Sequence, residues 1–538
     1  MTPEKSSESV YGPAPQSLPT RHGTMWLTAV VALAVAAIVA PAAAHAQAFD
    51  TTVVDARDAL RKRDRNRLAA LRAQAAAEKN PFAMWVDYWE LLNRIGEVQQ
   101  PEFTAFAQRW HGTYVEDRGR NDWLLELGRR RDWANVAAEF PRFRMNDDLQ
   151  VTCYALVADH LAGQDVKESG LAAWMAQKDA DDGCAVLATT LRDAKKLGTA
   201  EIWNKVRLSL EANKPRGAKQ AAALISEAAA ASVAQIVDSP SRYLAKKAAA
   251  TPRSEAELTT MALARLASSD SESAAALLVQ RWEKLLPGEL ASWAWASVAR
   301  QTATKLQPEA ADQFLRAGRM LAKTSREIDL PDETLAWKVR SALRADAGRP
   351  RWQAVVQAIN AMSPAEQKDA AWVYWKARGL RALAPDSQDG ASLLATSREL
   401  FSSIAGQLGF YGGLAAEELG QPQALPPRPQ PLTAAEHDAP ASQPGLVRGL
   451  TLIAIGLRNE GVREWNYSVR GLADRELLAA AQYACEREIW DRCINTSEKT
   501  KNEIDLEQRY PTPLKKDVTL RAREIGLDPA FVYGLIRQ

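Results

Sequence analysis

Four cysteines are the residues in this sequence whose type and spacing most directly predict chemistry. Cys153 and Cys184 are 31 residues apart, and Cys485 and Cys493 are 8 residues apart. In an oxidising compartment an even number of cysteines predicts disulfides, and the two local pairs are the simplest of three possible connectivities. A spacing of 8 suits two helices of one tight hairpin, so structural disulfides are the interpretation that we favour.

Metal binding is the alternative explanation for the cysteines. Beyond the first 46 residues, no histidine lies at zinc-ligand spacing from either pair. These histidines are His111, His160 and His437. We therefore expect no metal and no cofactor.

Glu503, Asp505 and Glu507 form one cluster of carboxylates that could serve in acid–base catalysis. Their i, i+2, i+4 spacing does not bring all three to one face of a helix. A solvated helix surface is the role that this spacing favours.

A second acidic cluster contains Asp179, Asp181 and Asp182. The full ligand spacing of a calcium loop is absent, so the cluster predicts a short acidic loop. The arginines at 129–131 could hold an anionic peptide, although a basic run at a helix end is usually solvated and is stabilised there by the helix dipole.

Helices must position these residues, because helical periodicity recurs through most of the chain. In "MWVDYWELLNRIG", apolar residues follow the i, i+3, i+4, i+7 pattern from Trp85 to Ile95. In "NDWLLELGRRRDWANVAAEFP" we expect two short helices, the first capped by Asn121 and ended by Gly128. Most of the 17 tryptophans are expected in helix–helix cores, and a few could stack on sugar rings.

The chain of 538 residues is too long for one core, and its organisation changes along the sequence. Residues 47–420 predict an α-solenoid built from helices of 10–18 residues. Residues 421–444 contain seven prolines, which predict an extended connection. We expect a small helical domain over residues 445–510. We expect residues 511–538 to be the beginning of a further unit. A net charge of +2 gives no electrostatic case for nucleic acid.

The N-terminus carries a targeting segment. The apolar run from Met25 to Ala40 is 16 residues long and is followed by Ala44-His45-Ala46, a small-x-small cleavage site. We expect residues 1–46 to be a signal peptide, with an uncleaved anchor as the alternative. No second apolar stretch of spanning length occurs, so the mature chain is expected to have no integral membrane segment.

Several ordered segments resemble the soluble lytic murein transglycosylases of Gram-negative bacteria. They are "DAAWVYWKARGLRALA", "FSSIAGQLGFYGGLAAEELG", "RYPTPLKKDV" and "GLDPAFVYGLIRQ". The resemblance implies an all-α fold: a U-shaped superhelical domain, a small helical linker domain and a lysozyme-like domain, of which residues 511–538 would be the beginning. It also implies a periplasmic location.

The resemblance further implies cleavage of the β-1,4 bond between N-acetylmuramic acid and N-acetylglucosamine in peptidoglycan, with a 1,6-anhydro product. In the family the catalytic glutamate directly follows a segment like "GLIRQ", which places it at position 539, one residue after Gln538. We therefore expect a truncation inside the first catalytic-domain helix. The alternative is a non-catalytic solenoid that binds peptidoglycan or a cell-wall assembly partner.

Overall fold

The computed structural model describes residues 51–324, 329–422 and 424–538, and every regular element in these ranges is a helix. The prediction of an all-α fold is confirmed. The predicted signal peptide, residues 1–46, lies outside the described residues. No helix in the described ranges is long and apolar enough to cross a membrane.

Short helices joined by short turns make up the first half of the described chain. The helices are 51–62, Arg65–Ala77, Ala83–Asn93, Gln100–Arg109, Tyr114–Arg130, Trp133–Glu139, Phe140–Arg142 (3₁₀), Leu149–Leu161, Lys167–Ala176, Asp182–Asp193, Thr199–Glu211, Pro215–Ala223, Glu227–Asp238, Pro240–Ala245, Arg253–Ser269, Ser271–Leu277, Leu278–Trp282 (π) and Glu283–Leu285.

The second half has the same character. Its helices are Gly288–Thr304, Ala310–Leu321, Asp332–Leu343, Ala345–Gly348, Trp352–Asn360, Glu366–Lys368 (3₁₀), Ala370–Leu383, Ala384–Asp386 (3₁₀), Gly390–Ile404, Phe410–Glu418, Ala434–Asp438, Ala439–Ser442 (3₁₀), Pro444–Ala454, Arg458–Ser468, Asp474–Cys485, Trp490–Ser497, Leu506–Arg509, Lys515–Glu524 and Pro529–Arg537.

Two compact units divide these helices. The smaller unit contains the described residues of Met1–Arg94 together with Thr451–Gly461. In it, Trp85 and Trp89 are buried with their ring centroids 5.6 Å apart. Arg57 donates to Glu460 at 2.5 Å, so an ion pair joins the two segments of this unit.

The larger unit contains Ile95–Leu450 and Val462–Gln538. Its largest core is built where Gly288–Thr304 packs against Arg253–Ser269 and Ala310–Leu321. Alanines on these helices are small enough to let the helix axes approach, and the buried rings of Trp282 and Trp295 fill the remaining space. Helices close in sequence therefore bury one another's apolar faces, as in a solenoid.

The helix Tyr114–Arg130 corrects one prediction from the sequence. It begins at a Thr113 cap, whose hydroxyl accepts from the Glu116 amide, instead of beginning at Asn121. Asn121 lies inside the helix, is buried, and donates to Asp148 at 3.0 Å. Gly128 also lies inside the helix, and a glycine is needed there because a Cβ would overlap the ring of Tyr154. Tertiary packing, not local capping propensity, decides both positions.

Both local disulfides are present. Cys153 of the Leu149–Leu161 helix is bonded to Cys184 of the Asp182–Asp193 helix. Cys485 ends one helix, and Cys493 lies on the next one, Trp490–Ser497. Each bond therefore joins two neighbouring helices that also pack against each other.

The proline-rich stretch 421–444 differs in part from the predicted extended connection. Helix begins again at Ala434, where Thr433 and Glu436 form a capping box. The five residues of that helix contain no proline, so the cap can nucleate a turn. Arg475 donates to Glu436 at 2.7 Å and to the Pro431 carbonyl at 3.1 Å, which attaches the stretch to the helix Asp474–Cys485.

Candidate functional site

The last helix, Pro529–Arg537, is the element next to which the resemblance stated above implies a catalytic position. Asp528 accepts from the Ala530 amide at 2.8 Å, and Pro529 occupies the first turn. The predicted start of this helix is therefore correct in detail. The expected position 539 lies beyond the last residue of the chain, so the described residues do not test it.

Polar contacts attach this helix to the segment that precedes it. The Tyr533 hydroxyl donates to the Pro513 carbonyl at 2.9 Å, and the Arg537 guanidinium donates to the Arg509 carbonyl at 3.0 Å. Arg537 also lies 4.7 Å from the ring centroid of Tyr510 and is paired with Glu498. These contacts involve the middle and the C-terminal end of the helix, which is too short to be stable alone in water.

The apolar face of the helix is exposed in this chain. Phe531 and Leu535 are both 67% exposed, and Ile536 is 53% exposed. The neighbouring helix and turn add Leu520 and Ile525, at 56% and 71%. A cluster of exposed apolar side chains of this kind marks a surface that another protein segment or a ligand covers.

A groove lies next to the start of this segment. It has a volume of about 810 Å³ and is lined by two segments, 408–425 and 506–510. Phe410 and Leu425 are exposed at 74% and 70%, and Tyr510 is half exposed at 48%. Tyr510 therefore links the groove to the last helix, since its ring also contacts Arg537.

The carboxylates at 503–507 do not form a catalytic cluster, and they do not share a helix as the sequence interpretation assumed. The helix begins only at Leu506, because Asp505 caps it by accepting from the Glu507 and Gln508 amides. Glu503 pairs with Arg475 at 3.2 Å, and Glu507 pairs with Arg428 at 2.9 Å. These carboxylates thus have structural roles at a loop and a helix start.

Two groups that the sequence treated separately come together in the structure. Arg131, one of the three consecutive arginines, donates to Asp182 at 2.6 and 2.9 Å. This pairing lowers the pKa of Asp182 from its ordinary value. Tyr154 donates to the same carboxylate at 2.5 Å. Burial raises the pKa of Tyr154 to about 12, and this hydrogen bond is the second-largest cause of the rise. The arrangement holds the turn before Cys184 in place.

The other two members of the acidic cluster also have structural roles. Asp181 caps the Asp182–Asp193 helix by accepting from the Cys184 amide at 2.7 Å. Asp179 lies 3.3 Å from the Lys214 ammonium. Among the described residues no group of His, Cys, Asp or Glu is arranged to hold a metal ion.

Glu211 is a titratable residue that the sequence analysis did not single out. It ends the Thr199–Glu211 helix and lines a cavity of about 340 Å³. Burial raises its pKa to about 7, and the nearby Arg300 partly opposes that rise. Ser297 lies 3.4 Å from Oε1, whereas Oε2 is buried with no hydrogen-bond partner among the described residues. Its environment comes from helices 86 residues away in sequence, so no local motif reveals it.

A comparison with protein families gives one match. Residues 440–502 match the family "Soluble lytic murein transglycosylase L domain". This range contains most of the segment in which the sequence predicts a linker domain. In the structure Trp465 is buried there and donates to the Thr496 hydroxyl at 2.8 Å.

Solved structures share the fold over most of the chain. Lytic transglycosylase Slt from Pseudomonas aeruginosa, solved as an inactive mutant, is 21% identical with a TM-score of 0.58, and the match covers 88% of this chain and 76% of that one. The 70 kDa soluble lytic transglycosylase from Escherichia coli is 16% identical with a TM-score of 0.53, covering 90% and 76%. A complex of the 70-kDa soluble lytic transglycosylase with bulgecin A is 17% identical with a TM-score of 0.53, covering 91% and 77%.

A search of curated protein sequences finds no match. The predicted resemblance to the soluble lytic murein transglycosylase family is confirmed through the L domain and the fold. At identities of 16–21% the solved structures establish the fold alone.

Proposed function

We propose that the gene product of this chain cleaves peptidoglycan glycan strands, because residues 440–502 match the soluble lytic murein transglycosylase L domain and the all-α superhelical fold matches that of solved lytic transglycosylases. The observation that carries the proposal is the L-domain match at 440–502, followed within 30 residues by the exposed amphipathic helix Pro529–Arg537. The bond cleaved would be the β-1,4 bond between N-acetylmuramic acid and N-acetylglucosamine.

The catalytic carboxyl is proposed to be a glutamate directly after Gln538. That position falls four residues after Leu535 and eight after Phe531, so it shares the exposed apolar face of the helix. When a further part of the protein covers this face, the carboxyl is desolvated and its pKa rises, as a general acid at neutral pH requires. The solved chains are longer than the matched region, since the match covers 76–77% of them.

One carboxyl suffices for the proposed reaction. In its acid form it donates a proton to the glycosidic oxygen while the bond from that oxygen to C1 of N-acetylmuramic acid breaks. The 6-hydroxyl of the same sugar then forms a bond to C1, and its proton returns to the carboxylate. The products are a 1,6-anhydro end and a free 4-hydroxyl, without consumption of water. This distinguishes the reaction from two-carboxylate glycoside hydrolysis.

The periplasm is the proposed location. The segment 1–46 has the pattern of a signal peptide, and the disulfides Cys153–Cys184 and Cys485–Cys493 are typical of an oxidising compartment. Peptidoglycan is the substrate that such a location would offer.

Digestion of purified sacculi tests the function. The protein purified from its native cells should release fragments that end in 1,6-anhydro-N-acetylmuramic acid, identified by mass spectrometry. The recombinant chain 47–538 is the matched control, and it should bind sacculi without releasing these fragments. Release of anhydro fragments by residues 47–538 would contradict the placement of the catalytic acid, and no release by the native protein would contradict the proposed activity.

The second candidate function is a non-catalytic solenoid that binds peptidoglycan or an assembly partner. The absence of a group that could hold a metal ion among the described residues favours neither candidate by itself. The intact mass of the native mature protein separates them. A mass equal to that of residues 47–538 favours the binding protein, whereas a mass larger by about one domain of ~100–200 residues favours the enzyme.

A further inference from the structure

A groove on the larger unit combines aromatic rings with unpaired positive charge. It has a volume of about 570 Å³ and lies between the helices Gly288–Thr304, Asp332–Leu343 and Ala370–Leu383 and the start of Phe410–Glu418. That volume is within the ~300–1,000 Å³ of small-ligand sites. The groove is distant in sequence from the last helix and its proposed catalytic position.

Three aromatic side chains line the groove: Trp337, Trp375 and Tyr411. Each is half-buried, whereas more than half of the tryptophans of this unit are buried. Neighbouring rings fix two of them, since the Tyr374 ring lies 5.3 Å from Trp375 and 5.6 Å from Tyr411. Trp375 and Tyr411 are therefore held in place and lose little conformational entropy when a ligand contacts them.

Two guanidinium groups, those of Arg340 and Arg344, supply the charge. The Arg340 guanidinium lies 4.9 Å from the ring centroid of Trp337 and 5.2 Å from that of Trp372. Both arginines are exposed, and neither has a carboxylate partner within the described part of the chain. No aspartate or glutamate is among the residues that line the groove. The groove thus presents an uncompensated positive charge, in contrast to the many ion-paired arginines elsewhere.

Neutral polar groups complete the lining. The Ser341 hydroxyl donates to the Trp337 carbonyl at 2.7 Å, which leaves its oxygen as an acceptor. Gln307 also lines the groove, and its side-chain amide has both a donor and an acceptor. Exposed Leu306 and Pro308 form the rim.

We propose that this groove binds a short anionic segment of glycan, with pyranose rings stacked on the aromatic side chains and a sugar-linked carboxylate held by Arg340 and Arg344. The C–H faces of a pyranose are weakly positive and pack against the negative faces of aromatic rings. The guanidinium groups match a carboxylate such as the lactyl group of an N-acetylmuramic acid residue that carries no stem peptide. The inference rests on the proposed function for its substrate class, and it adds a binding site on the solenoid away from the reaction.

In the proposed complex, different side chains of the groove contact different parts of the ligand. The aromatic rings contact the sugar rings whether or not the sugar is charged, whereas the two arginines recognise only the carboxylate. Because both arginines are exposed, salt screens their attraction for the ligand. Affinity for an anionic sugar should therefore fall as ionic strength rises, and affinity for a neutral sugar should change little.

Titration of the recombinant mature chain 47–538 with defined sugars tests the site. The probes are the disaccharide N-acetylglucosaminyl-N-acetylmuramic acid, which carries a carboxylate, and neutral N,N′-diacetylchitobiose, with binding measured by calorimetry or ligand-observed NMR. We expect the anionic disaccharide to bind more tightly. The double variant Arg340→Gln/Arg344→Gln should weaken its binding about tenfold, as loss of charge-assisted bonds predicts, and should leave the neutral sugar unaffected.

A matched control is the double variant Arg192→Gln/Arg242→Gln, which removes two exposed arginines that lie on other helices, and it should bind like the parent chain. Tyr411→Ala provides a second test, because it should weaken both sugars. Circular dichroism melting verifies that each variant folds.

Several results would overturn the site. They are no binding of either sugar to the parent chain, equal binding by the Arg340→Gln/Arg344→Gln variant, or tighter binding of a free stem peptide than of the anionic disaccharide. Failure here leaves sacculus digestion by the native protein intact. Conversely, if chain 47–538 binds the anionic disaccharide but the native protein does not digest sacculi, the proposed catalysis is wrong and the proposed binding groove stands.

Discussion

At the scale of single residues, Glu211 makes the clearest energetic prediction. Burial raises its pKa to about 7, so the folded chain keeps a proton that the unfolded chain releases near pH ~4.3. The free-energy cost of ionising Glu211 in the folded chain is therefore absent at low pH, grows between about pH 4.3 and 7, and stays constant above pH 7. Ionised Glu211 lowers the stability of the fold at alkaline pH.

The variant Glu211→Gln removes this titration while keeping the shape of the side chain. At pH 8 it should raise the free energy of unfolding by as much as ~3 kcal/mol, and at pH 4.5 it should change it little. Thermal melting by circular dichroism at both pH values measures the difference. Glu399→Gln, the same change on an exposed helix surface, is the control for the substitution itself. An equal change in the free energy of unfolding at both pH values would contradict the raised pKa.

Contacts between residues close in sequence could be predicted, whereas contacts between residues far apart in sequence could not. Asp528 and Pro529 were identified correctly, because a cap and its first turn involve neighbours in sequence. The pairing of Arg131 with Asp182 was not predicted, because the two residues are 51 positions apart and each has a plausible solvated role alone. Such partners are visible only once the helices are packed.

At the scale of helices, two glycines distinguish the effect of side-chain packing on stability from the effect of helix propensity. Gly128 lies inside Tyr114–Arg130, where a Cβ would overlap the Tyr154 ring. Gly318 lies inside Ala310–Leu321, with no atom within 4 Å of the position of a Cβ. The same substitution by alanine should therefore have opposite effects at the two sites.

We expect Gly128→Ala to lower the stability by about 1–3 kcal/mol, because the Tyr154 ring must move out of a packed position. Gly318→Ala should raise the stability by roughly 0.5–1 kcal/mol, because alanine restricts the unfolded chain and favours helix. Urea unfolding of the two variants and the parent chain measures both changes. A stabilising effect of Gly128→Ala would show that Tyr154 is not held against this helix.

Helix boundaries illustrate where local sequence signals fail. The polar residues at 121–122 resemble a helix start, yet Asn121 is buried and bonded to Asp148, and the helix begins earlier. The proline-rich stretch resembled extended chain throughout, yet the Thr433–Glu436 capping box starts a helix in its proline-free part. The class of each element was predictable from periodicity, and its ends depended on partners far away in sequence.

At the scale of the whole molecule, the chain combines an L-domain match with an all-α superhelical fold and a short last helix whose apolar face is exposed. Ordered sequence segments were enough to predict the fold class and the resemblance to the soluble lytic murein transglycosylases. The aromatic groove at 303–411 was not predictable, because its tryptophans have the same helical spacing as core tryptophans and only packing shows which faces stay exposed.

The central claim is that a catalytic glutamate follows Gln538 on the last helix. It is tested most directly by sequencing the peptide that Lys-C releases after Lys516 from the protein purified from its native cells, since this peptide runs from Asp517 through Gln538. The account predicts that the peptide continues beyond Gln538 and that its next residue is glutamate. A peptide that ends at Gln538, or that continues with a residue lacking a carboxyl group, would contradict it.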